Sequence, residues 1–417
     1  MDATIQPASR PISSWKIFLT VLGPGLVVML ADTDVGSVIT AAQSGAQWGY
    51  KLLLLQLVLV PILYIVQELT VRLGIFTGKG HGELIRETFG PAWAWVSVSG
   101  LGIATVGALL TEFSGVAGVS ELFGLPRAVG VLIAAVFLLA VVWTGSYRRV
   151  ERIAILLGLF ELVFFAVALA ARPDPHAILA GLAHVPLGNS EYMYLVAANI
   201  GAVIMPWMIF YQQSAVADKG LRPEHYRHAR LDTAIGAVLT QAVMAAVLVA
   251  TAATLGRSNP NAQLDTVGQI AHALTPFLGT DWGSVVFSLG ILGAGMVAAI
   301  VVSLAAAWGF GEVSGYRHSL ENHPQEAPWF YAIYTLAVIV GALAVIFIPN
   351  LVTLSLGVEV MNALLLPLVL GFLIALAIKA LPPRHRLRGP YLWLVLGVSA
   401  VTAGLGVYGG LSSIPGL

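Results

Sequence analysis

The stretch Leu30-Ala31-Asp32-Thr33-Asp34-Val35-Gly36-Ser37 places two acids inside the first long apolar segment of the chain. A carboxylate at the centre of a bilayer costs about 2.5–3.5 kcal/mol on insertion scales, so an acid at this position needs a partner. A cation that passes through the membrane is the simplest such partner. The stretch therefore predicts an ion pathway through a membrane protein.

The whole chain has the composition of a protein that crosses the membrane many times. Of its 417 residues, 58% are hydrophobic and 10% are charged, and the mean hydropathy is +0.87. Its apolar runs repeatedly exceed the roughly 18 residues that cross a bilayer as a helix. We predict an all-α integral membrane protein with eleven transmembrane helices, at about 17–45, 51–74, 93–123, 126–145, 151–171, 192–215, 232–255, 283–311, 329–348, 351–378 and 390–413.

Lysine and arginine are divided unevenly between the two sides of these predicted helices. Of the 21 basic residues, one side carries all but Lys51, Arg127, Arg172 and Arg257. Because cytoplasmic loops are enriched in lysine and arginine, the amino terminus is predicted in the cytoplasm and the carboxyl terminus outside the cytoplasmic membrane. We interpret the basic loop 217–230 as a solvated linker that helps to set this orientation.

Composition and the absence of motifs exclude several classes of protein. The chain contains no cysteine, which excludes disulfides and thiolate-bound metals, and its zero net charge offers no basic surface for nucleic acid. It has no His-Glu-x-x-His pair, Gly-x-Ser-x-Gly elbow or ATP-binding motif, so neither an enzyme nor a resident cofactor is predicted. All nine histidines fall in predicted loops.

Glycine and proline interrupt two of the predicted helices at matching positions. The first contains Gly23-Pro24-Gly25 and then Asp34-Val35-Gly36-Ser37, and the sixth contains Gly201-Ala202-Val203-Ile204-Met205-Pro206-Trp207. Either break alone could be an ordinary kink, but a matched pair is typical of inverted-repeat secondary transporters, which bind substrate near the midplane. We predict a 5+5 inverted-repeat fold with broken helices 1 and 6. Its parts are a segment 1–16, a first repeat 17–171, a second repeat 192–378 and an eleventh helix 390–413.

Such breaks would offer a cation oxygen and sulfur ligands. Unwinding frees backbone carbonyls, and a membrane protein tolerates these only where they line a cavity or are buried. Asp34 would supply charge, Ser37 a hydroxyl, Ala202 a carbonyl and Met205 a thioether. Taken singly, a methionine is also typical of a gap filler and a serine of helix-to-helix contacts.

Five further acids lie within the predicted helices, with no lysine or arginine in the middle of any helix to neutralise them. This excess of acids favours a cation pathway over an anion pathway. Asp32, Glu112 and Glu359 are candidates for an additional cation or proton pathway, with a protonated structural role as the alternative for Asp32 and Glu359. For Glu68 and Glu161 we favour the structural role.

The motifs together resemble those of NRAMP-family divalent metal transporters. The resemblance rests on Gly23-Pro-Gly, Asp34-Val-Gly-Ser, Gly45-Ala-Gln-Trp-Gly-Tyr50, Arg72-Leu-Gly with Thr77-Gly-Lys79, and Ala202-Val-Ile-Met-Pro206. It implies a secondary transporter that imports divalent cations by alternating access. It also implies that Asp34, Ala202 and Met205 fall on family metal-binding positions, while Ser37 stands where the family usually has asparagine.

The chain departs from the family at positions that the resemblance links to protons. Trp207 and Gln212 stand where histidine is usual, and the predicted ninth helix, 329–348, contains no arginine. Glu112 stands where the family tends to have aspartate, and Gly115 where a second acid is common. A proton relay needs groups that titrate along its path, so these losses argue against proton coupling, with Glu112 remaining as one candidate for it.

The predicted substrate is a manganese- or iron-type divalent cation, because the thioether of Met205 is a soft ligand. Ser37, Asp32 and Glu359 instead favour magnesium, which keeps its waters and is held through one or two carboxylates, so an NRAMP-related magnesium uniporter stays the alternative. A sodium-coupled amino acid symporter shares this architecture, but Asp34 would repel its substrate's carboxylate. A channel is a further alternative. Beside the cation and the lipid bilayer, protons are the only other partner predicted.

Overall fold

The computed structural model describes residues 22–259 and 262–412. These residues form helices and no strand. The predicted segment 1–16 and the beginning of the first predicted helix lie outside the described residues. In chain order the helices are α1 (Pro24–Asp32), α2 (Val35–Trp48), α3 (Leu53–Thr77), α4 (His81–Phe89), α5 (Pro91–Leu122), α6 (Arg127–Val142), α7 (Tyr147–Gly158), α8 (Val163–Ala170), α9 (Pro175–Leu182), α10 (Ser190–Val203), α11 (Pro206–Asp218), α12 (Tyr226–Ala253), α13 (Leu255–Ser258), α14 (Val267–Leu274), α15 (Thr280–Ser314), α16 (Pro328–Ile346), α17 (Leu351–Lys379) and α18 (Gly389–Ser412).

Nine helical segments of this part of the chain are long and apolar enough to cross a membrane. One of them runs from Val35 to Thr77 and joins α2 to α3 through the 3-10 turn Gly49–Leu52, where two separate helices are predicted. Helix α6, with 16 residues, is shorter than the helices counted as crossing. The all-α membrane fold is confirmed, whereas the count of eleven and the boundaries of the two repeats stay predictions.

The first break falls where the local sequence predicts it. Gly23 has a φ of 148°, which favours glycine, and Pro24 fits the first turn of α1, where an N–H would be unpaired anyway. Helix α1 ends at Asp32 and α2 begins at Val35. Asp34, in extended conformation, caps α2, because its side chain accepts a hydrogen bond from the backbone N–H of Ser37.

The second break also follows local chemistry. Helix α10 ends at Val203 and α11 begins at Pro206, whose ring is suited to the first position of a helix but cannot donate a backbone hydrogen bond. Met205 precedes it in extended conformation. The two predicted breaks are therefore present at the predicted residues.

The lysine- and arginine-rich connections meet at one end of the bundle, which we call the basic end. The Lys219 Nζ donates to the Leu22 carbonyl at 2.9 Å and lies 2.8 Å from Glu151 Oε1. The imidazole of His385 stacks on the Phe76 ring, with 3.7 Å between ring centroids. The interpretation of 217–230 as a solvated linker is thus wrong for Lys219. The basic end comprises the connections 78–80, 219–225, 315–327 and 380–388, together with 143–146, which has no basic residue itself but is followed by Arg148 and Arg149.

Glu68 is neutralised at the basic end. Its carboxylate forms a 2.8 Å ion pair with Arg72, one turn further along α3, and accepts a hydrogen bond from the Tyr226 hydroxyl. The expectation that no basic residue neutralises the acids of the predicted helices is therefore wrong for Glu68. Its pairing fits the structural role favoured from the sequence.

His81 contradicts the expectation that every histidine lies in a loop. It begins α4, is fully buried, and its Nδ1 lies 2.9 Å from the Gln213 Oε1 of α11. Helix α4 lies outside the membrane-crossing segments, and burial lowers the pKa of the His81 imidazole to about 4, so the ring is uncharged at neutral pH. His81 lies between two predicted helices, which suggested a loop. Its burial comes from tertiary packing, which the local sequence does not reveal.

Candidate cation site

The two helix breaks lie against each other in the interior of the bundle. The Ala202 carbonyl cannot accept the usual helical hydrogen bond from four residues ahead, because that residue is Pro206. It accepts instead a 2.9 Å hydrogen bond from the Ser37 hydroxyl of the other break. Both residues are buried. The structure thus joins two of the four predicted ligands directly.

Asp34 presents one satisfied and one unsatisfied carboxylate oxygen at this junction. Its Oδ1 accepts the backbone N–H of Ser37 at 2.6 Å. Its Oδ2 is buried and has no hydrogen-bond partner. A buried charged oxygen without a donor is costly unless a cation or a proton satisfies it. Asp34 is therefore suited to bind a cation beside Ser37 and Ala202.

Met205 lies in the second break with its sulfur already in contact with a donor. The Trp207 indole N–H donates to the Met205 sulfur, with 3.2 Å between nitrogen and sulfur, and both side chains are fully buried. A thioether is a weak acceptor with a second lone pair. A metal bound to Met205 would therefore share this sulfur with the indole or displace it.

Glu359 reaches the first break from α17. A Cβ added to Gly36 would lie 2.0 Å from Glu359 Oε1, so only glycine allows this carboxyl group so close to the first turn of α2. Glu359 Oε2 accepts a 3.1 Å hydrogen bond from the Asn362 amide, whereas Oε1 is buried without a partner. Glu359 thus approaches the first turn of α2 at Gly36, two residues after Asp34.

Glu112 also reaches this break, from α5. Its Oε2 accepts the backbone N–H of Val35 at 3.2 Å. Asp34 accepts the backbone N–H of Ser37 in the same turn. Two carboxylates therefore accept hydrogen bonds from backbone amides in the first turn of α2, where the helix dipole favours negative charge. Of the predicted additional residues, Glu112 lies at the first break, as Glu359 does.

Asp32, the last residue of α1, contacts α12. Its Oδ2 accepts a 3.4 Å hydrogen bond from the Thr240 hydroxyl, which also lies 2.6 Å from the Thr33 hydroxyl. Asp32 Oδ1 is buried without a partner. Glu161, in the 3-10 turn Leu159–Leu162, is buried beside Thr33, and the structural role favoured for it stays a prediction.

Both polar atoms of the Gln212 side-chain amide are hydrogen-bonded. Its Oε1 accepts from the Thr70 hydroxyl at 2.7 Å, and its Nε2 donates to the Thr233 hydroxyl at 3.0 Å. An amide does not titrate, so this network holds α3, α11 and α12 together without moving a proton.

Glu312 is a buried acid that the sequence analysis did not single out. It lies just beyond the predicted eighth helix, near the end of α15, and accepts hydrogen bonds from the Gly82 N–H at 2.7 Å and from the Ser214 hydroxyl. The only signal in the sequence was an acid shortly before Gly315. Glu312 ties α15 to α4 and α11 rather than to the helix breaks.

The ligand set at the breaks is mixed. Among the residues that the structure describes, no three histidine or acid side chains group closely enough to hold a metal by themselves. A cation here would instead combine the Asp34 carboxylate with a backbone carbonyl, a hydroxyl and a thioether. Carboxylate and carbonyl oxygens suit Mg²⁺ and Mn²⁺, and the thioether adds a preference for softer ions.

Comparison with known proteins agrees with this architecture. A family model described as "Natural resistance-associated macrophage protein-like" (Nramp) matches residues 25–412. The divalent metal cation transporter MntH of Pectobacterium carotovorum is 32% identical over 313 residues, which cover 72% of this chain and 75% of the relative. MntH of Bradyrhizobium diazoefficiens is 30% identical over 305 residues, covering 70% and 67%.

A solved structure shows the same fold. The manganese transporter of Eremococcus coleocola, crystallised with an aromatic bis-isothiourea compound, superposes with a TM-score of 0.76 at 20% sequence identity, covering 97% of this chain and 88% of that one. A likeness at this identity concerns the fold alone. The family assignment rests on the family model, which covers nearly the whole described chain. The protein therefore belongs to the Nramp family.

Proposed function

We propose that this protein is a secondary transporter that imports divalent metal cations of the manganese and iron type across the cytoplasmic membrane. The observation that carries the proposal is the buried junction at which Asp34 offers an unpaired carboxylate oxygen beside the freed carbonyl of Ala202. The names of the MntH relatives and of the Eremococcus transporter support this substrate class. The proposed orientation puts the basic end in the cytoplasm.

Alternating access would use the breaks as hinges and the basic end as the inner gate. Asp232 of α12 holds the start of α1, because its Oδ2 accepts the Gly25 N–H at 2.9 Å and the Gly23 N–H at 3.3 Å, and its Oδ1 accepts the Leu26 N–H at 3.2 Å. Lys219 holds the Leu22 carbonyl beside it. Release of the cation to the basic end would require α1 to leave these contacts.

The membrane potential is a sufficient driving force for this transport. Moving one charge through 100 mV is worth about 2.3 kcal/mol, so a divalent cation gains roughly 4.6 kcal/mol, which is on the order of a thousandfold in concentration. Gln212 does not titrate and His81 is held neutral by burial. We therefore propose voltage-driven uptake, with proton coupling through Glu112 as the alternative.

Magnesium is the second candidate substrate. The approach of Glu359 to Gly36 adds a carboxylate with an unpaired oxygen to the first break. Mg²⁺ is usually held by one or two carboxylates while it keeps part of its water shell, so this acid favours Mg²⁺ where Met205 favours Mn²⁺.

Uptake into proteoliposomes of the purified protein tests the proposal. We expect manganese uptake that increases with an inside-negative potential, while a pH dye trapped inside reports no acidification. Faster uptake of magnesium than of manganese would assign the magnesium alternative. Acidification that accompanies the metal would assign proton coupling. If neither cation enters faster than into protein-free vesicles, the proposed function is wrong.

The thioether should select among cations. We expect Met205→Ala to lower manganese and cadmium uptake about tenfold and magnesium uptake much less, because only the softer ions gain from sulfur. Met208→Ala, which truncates another buried methionine of α11, is the matched control for lost packing. Initial uptake rates of the three ions measure the effect. An equal decrease for all three ions would show that Met205 is not a selectivity element.

A further inference from the structure

A groove at the basic end lies between α3 and α12, away from the helix breaks. Its volume is about 500 Å³, and Tyr64, Arg227, Arg230 and Leu231 are among the residues that line it. We call it the α3–α12 groove. Its lining residues come from α3, the basic loop and the start of α12, and they are not the residues, Asp232 and Lys219, that hold α1.

The polar end of the α3–α12 groove carries positive charge in excess. Arg230 Nε donates to the Tyr64 hydroxyl at 3.1 Å, and the guanidinium carbon lies 5.5 Å from the centre of the Tyr226 ring. The nearest acid, Glu68, is 3.8 Å from Arg230 but is already paired with Arg72 at 2.8 Å. These contacts hold the Arg230 guanidinium in place, and because one carboxylate serves both Arg72 and Arg230, a net positive charge remains.

Arg227 adds a second cation about one turn earlier on α12. It is exposed and forms no ion pair with any residue that the structure describes. Arginine presents planar N–H groups that match the oxygens of a phosphate. The polar end of the groove is therefore suited to a phosphate monoanion or diester.

Leu231 and Ala234 add an apolar part to the groove, which continues along the surface of α12. Leu231 lines the groove and is 50% exposed, and beyond the groove α12 exposes Ile235 and Val238 at 46% and 57% of their accessible surface. The spacing of the three α12 residues places them on one face of the helix. These side chains would line the acyl chains of a lipid and would give nothing to a free phosphate.

We propose that the α3–α12 groove binds an anionic phospholipid, with its phosphate against Arg227 and Arg230 and its acyl chains along Leu231, Ile235 and Val238. Basic pockets between membrane helices at the cytoplasmic surface commonly bind anionic headgroups in this way. The inference does not depend on which cation the protein transports.

Native mass spectrometry of the full-length protein tests this inference, with phosphatidylglycerol and phosphatidylcholine of equal chain length as competing probes. We expect preferential retention of phosphatidylglycerol. Arg227→Ala with Arg230→Ala should lower that retention by at least about tenfold, since each basic residue near a membrane surface is worth about fivefold. Arg227→Lys with Arg230→Lys should keep most of it and shows that the altered groove still folds.

The matched control is Arg148→Ala with Arg149→Ala, which removes two exposed arginines from the same end of the bundle at the start of α7. This pair should retain phosphatidylglycerol as the unaltered protein does. Equal retention of the two lipids, an equal loss in the control pair, or displacement of the lipid by millimolar inorganic phosphate would each overturn the proposal.

Discussion

Replacing Asp34 with alanine should abolish divalent-cation uptake while the protein still folds and inserts. The change removes the proposed charged ligand, whose Oδ2 is buried without a hydrogen-bond partner. Removing one partner of a buried ionic interaction costs about 3–5 kcal/mol, so uptake should fall by at least about a hundredfold. Initial manganese uptake in proteoliposomes measures the effect, normalised to the amount of inserted protein.

Asp34→Asn separates the two roles of this residue. Asparagine is also a good helix cap and can accept the Ser37 N–H, but it brings no charge. Loss of the cap alone costs about 0.5–2 kcal/mol of stability, which Asp34→Ala would show as a lower melting temperature and Asp34→Asn would not. We expect both variants to lose uptake. Undiminished uptake by either variant would mean that the Asp34 charge is not a cation ligand.

Gly201→Ala should destabilise the protein more than any other single methyl group added near the site. A Cβ on Gly201 would lie 1.7 Å from the Glu359 carbonyl oxygen and 2.8 Å from the Ala363 backbone nitrogen, so α10 and α17 would have to separate. Overpacking costs about 1–3 kcal/mol even where only side chains must move, and here the obstacles are backbone atoms. We expect a large decrease in the melting temperature of the protein in detergent. Loss of the folded peak in size-exclusion chromatography after heating measures this decrease.

Gly357→Ala is the matched control for this change. Gly357 lies on α17, and a Cβ there would meet no atom within 4 Å. It should leave the melting temperature and uptake nearly unchanged. If Gly201→Ala melts at the same temperature as Gly357→Ala, α10 and α17 do not cross as closely as described.

The centre of the site depends on acids that converge from three separate parts of the chain. Asp34 caps α2 itself, Glu112 arrives from α5 and Glu359 from α17. None of the three makes a hydrogen bond to a lysine, arginine or histidine among the described residues. Positive charge at these acids would therefore have to come from protons or from a bound cation, which is a reason for the site to bind a divalent cation.

The membrane class and the two helix breaks could be predicted from the sequence because their causes are local. A run of apolar residues long enough to cross a bilayer, an aspartate at a helix start and a proline at a first turn act within a few neighbouring residues. The ion pair of Glu68 with Arg72 also has a local cause, because residues four apart are neighbours on a helix face, although the sequence analysis did not predict it.

Only the tertiary structure decided which groups meet. The contact of Ser37 with Ala202, the approach of Glu359 to Gly36 and the burial of His81 all join residues far apart in the chain. Such contacts depend on how closely whole helices cross, and glycines such as Gly36 and Gly201 allow crossings that hydropathy does not report. The sequence by itself therefore determined where the helices break and which acid caps the first break. The packing of α5, α10 and α17 determined that these breaks form one buried, acid-rich junction.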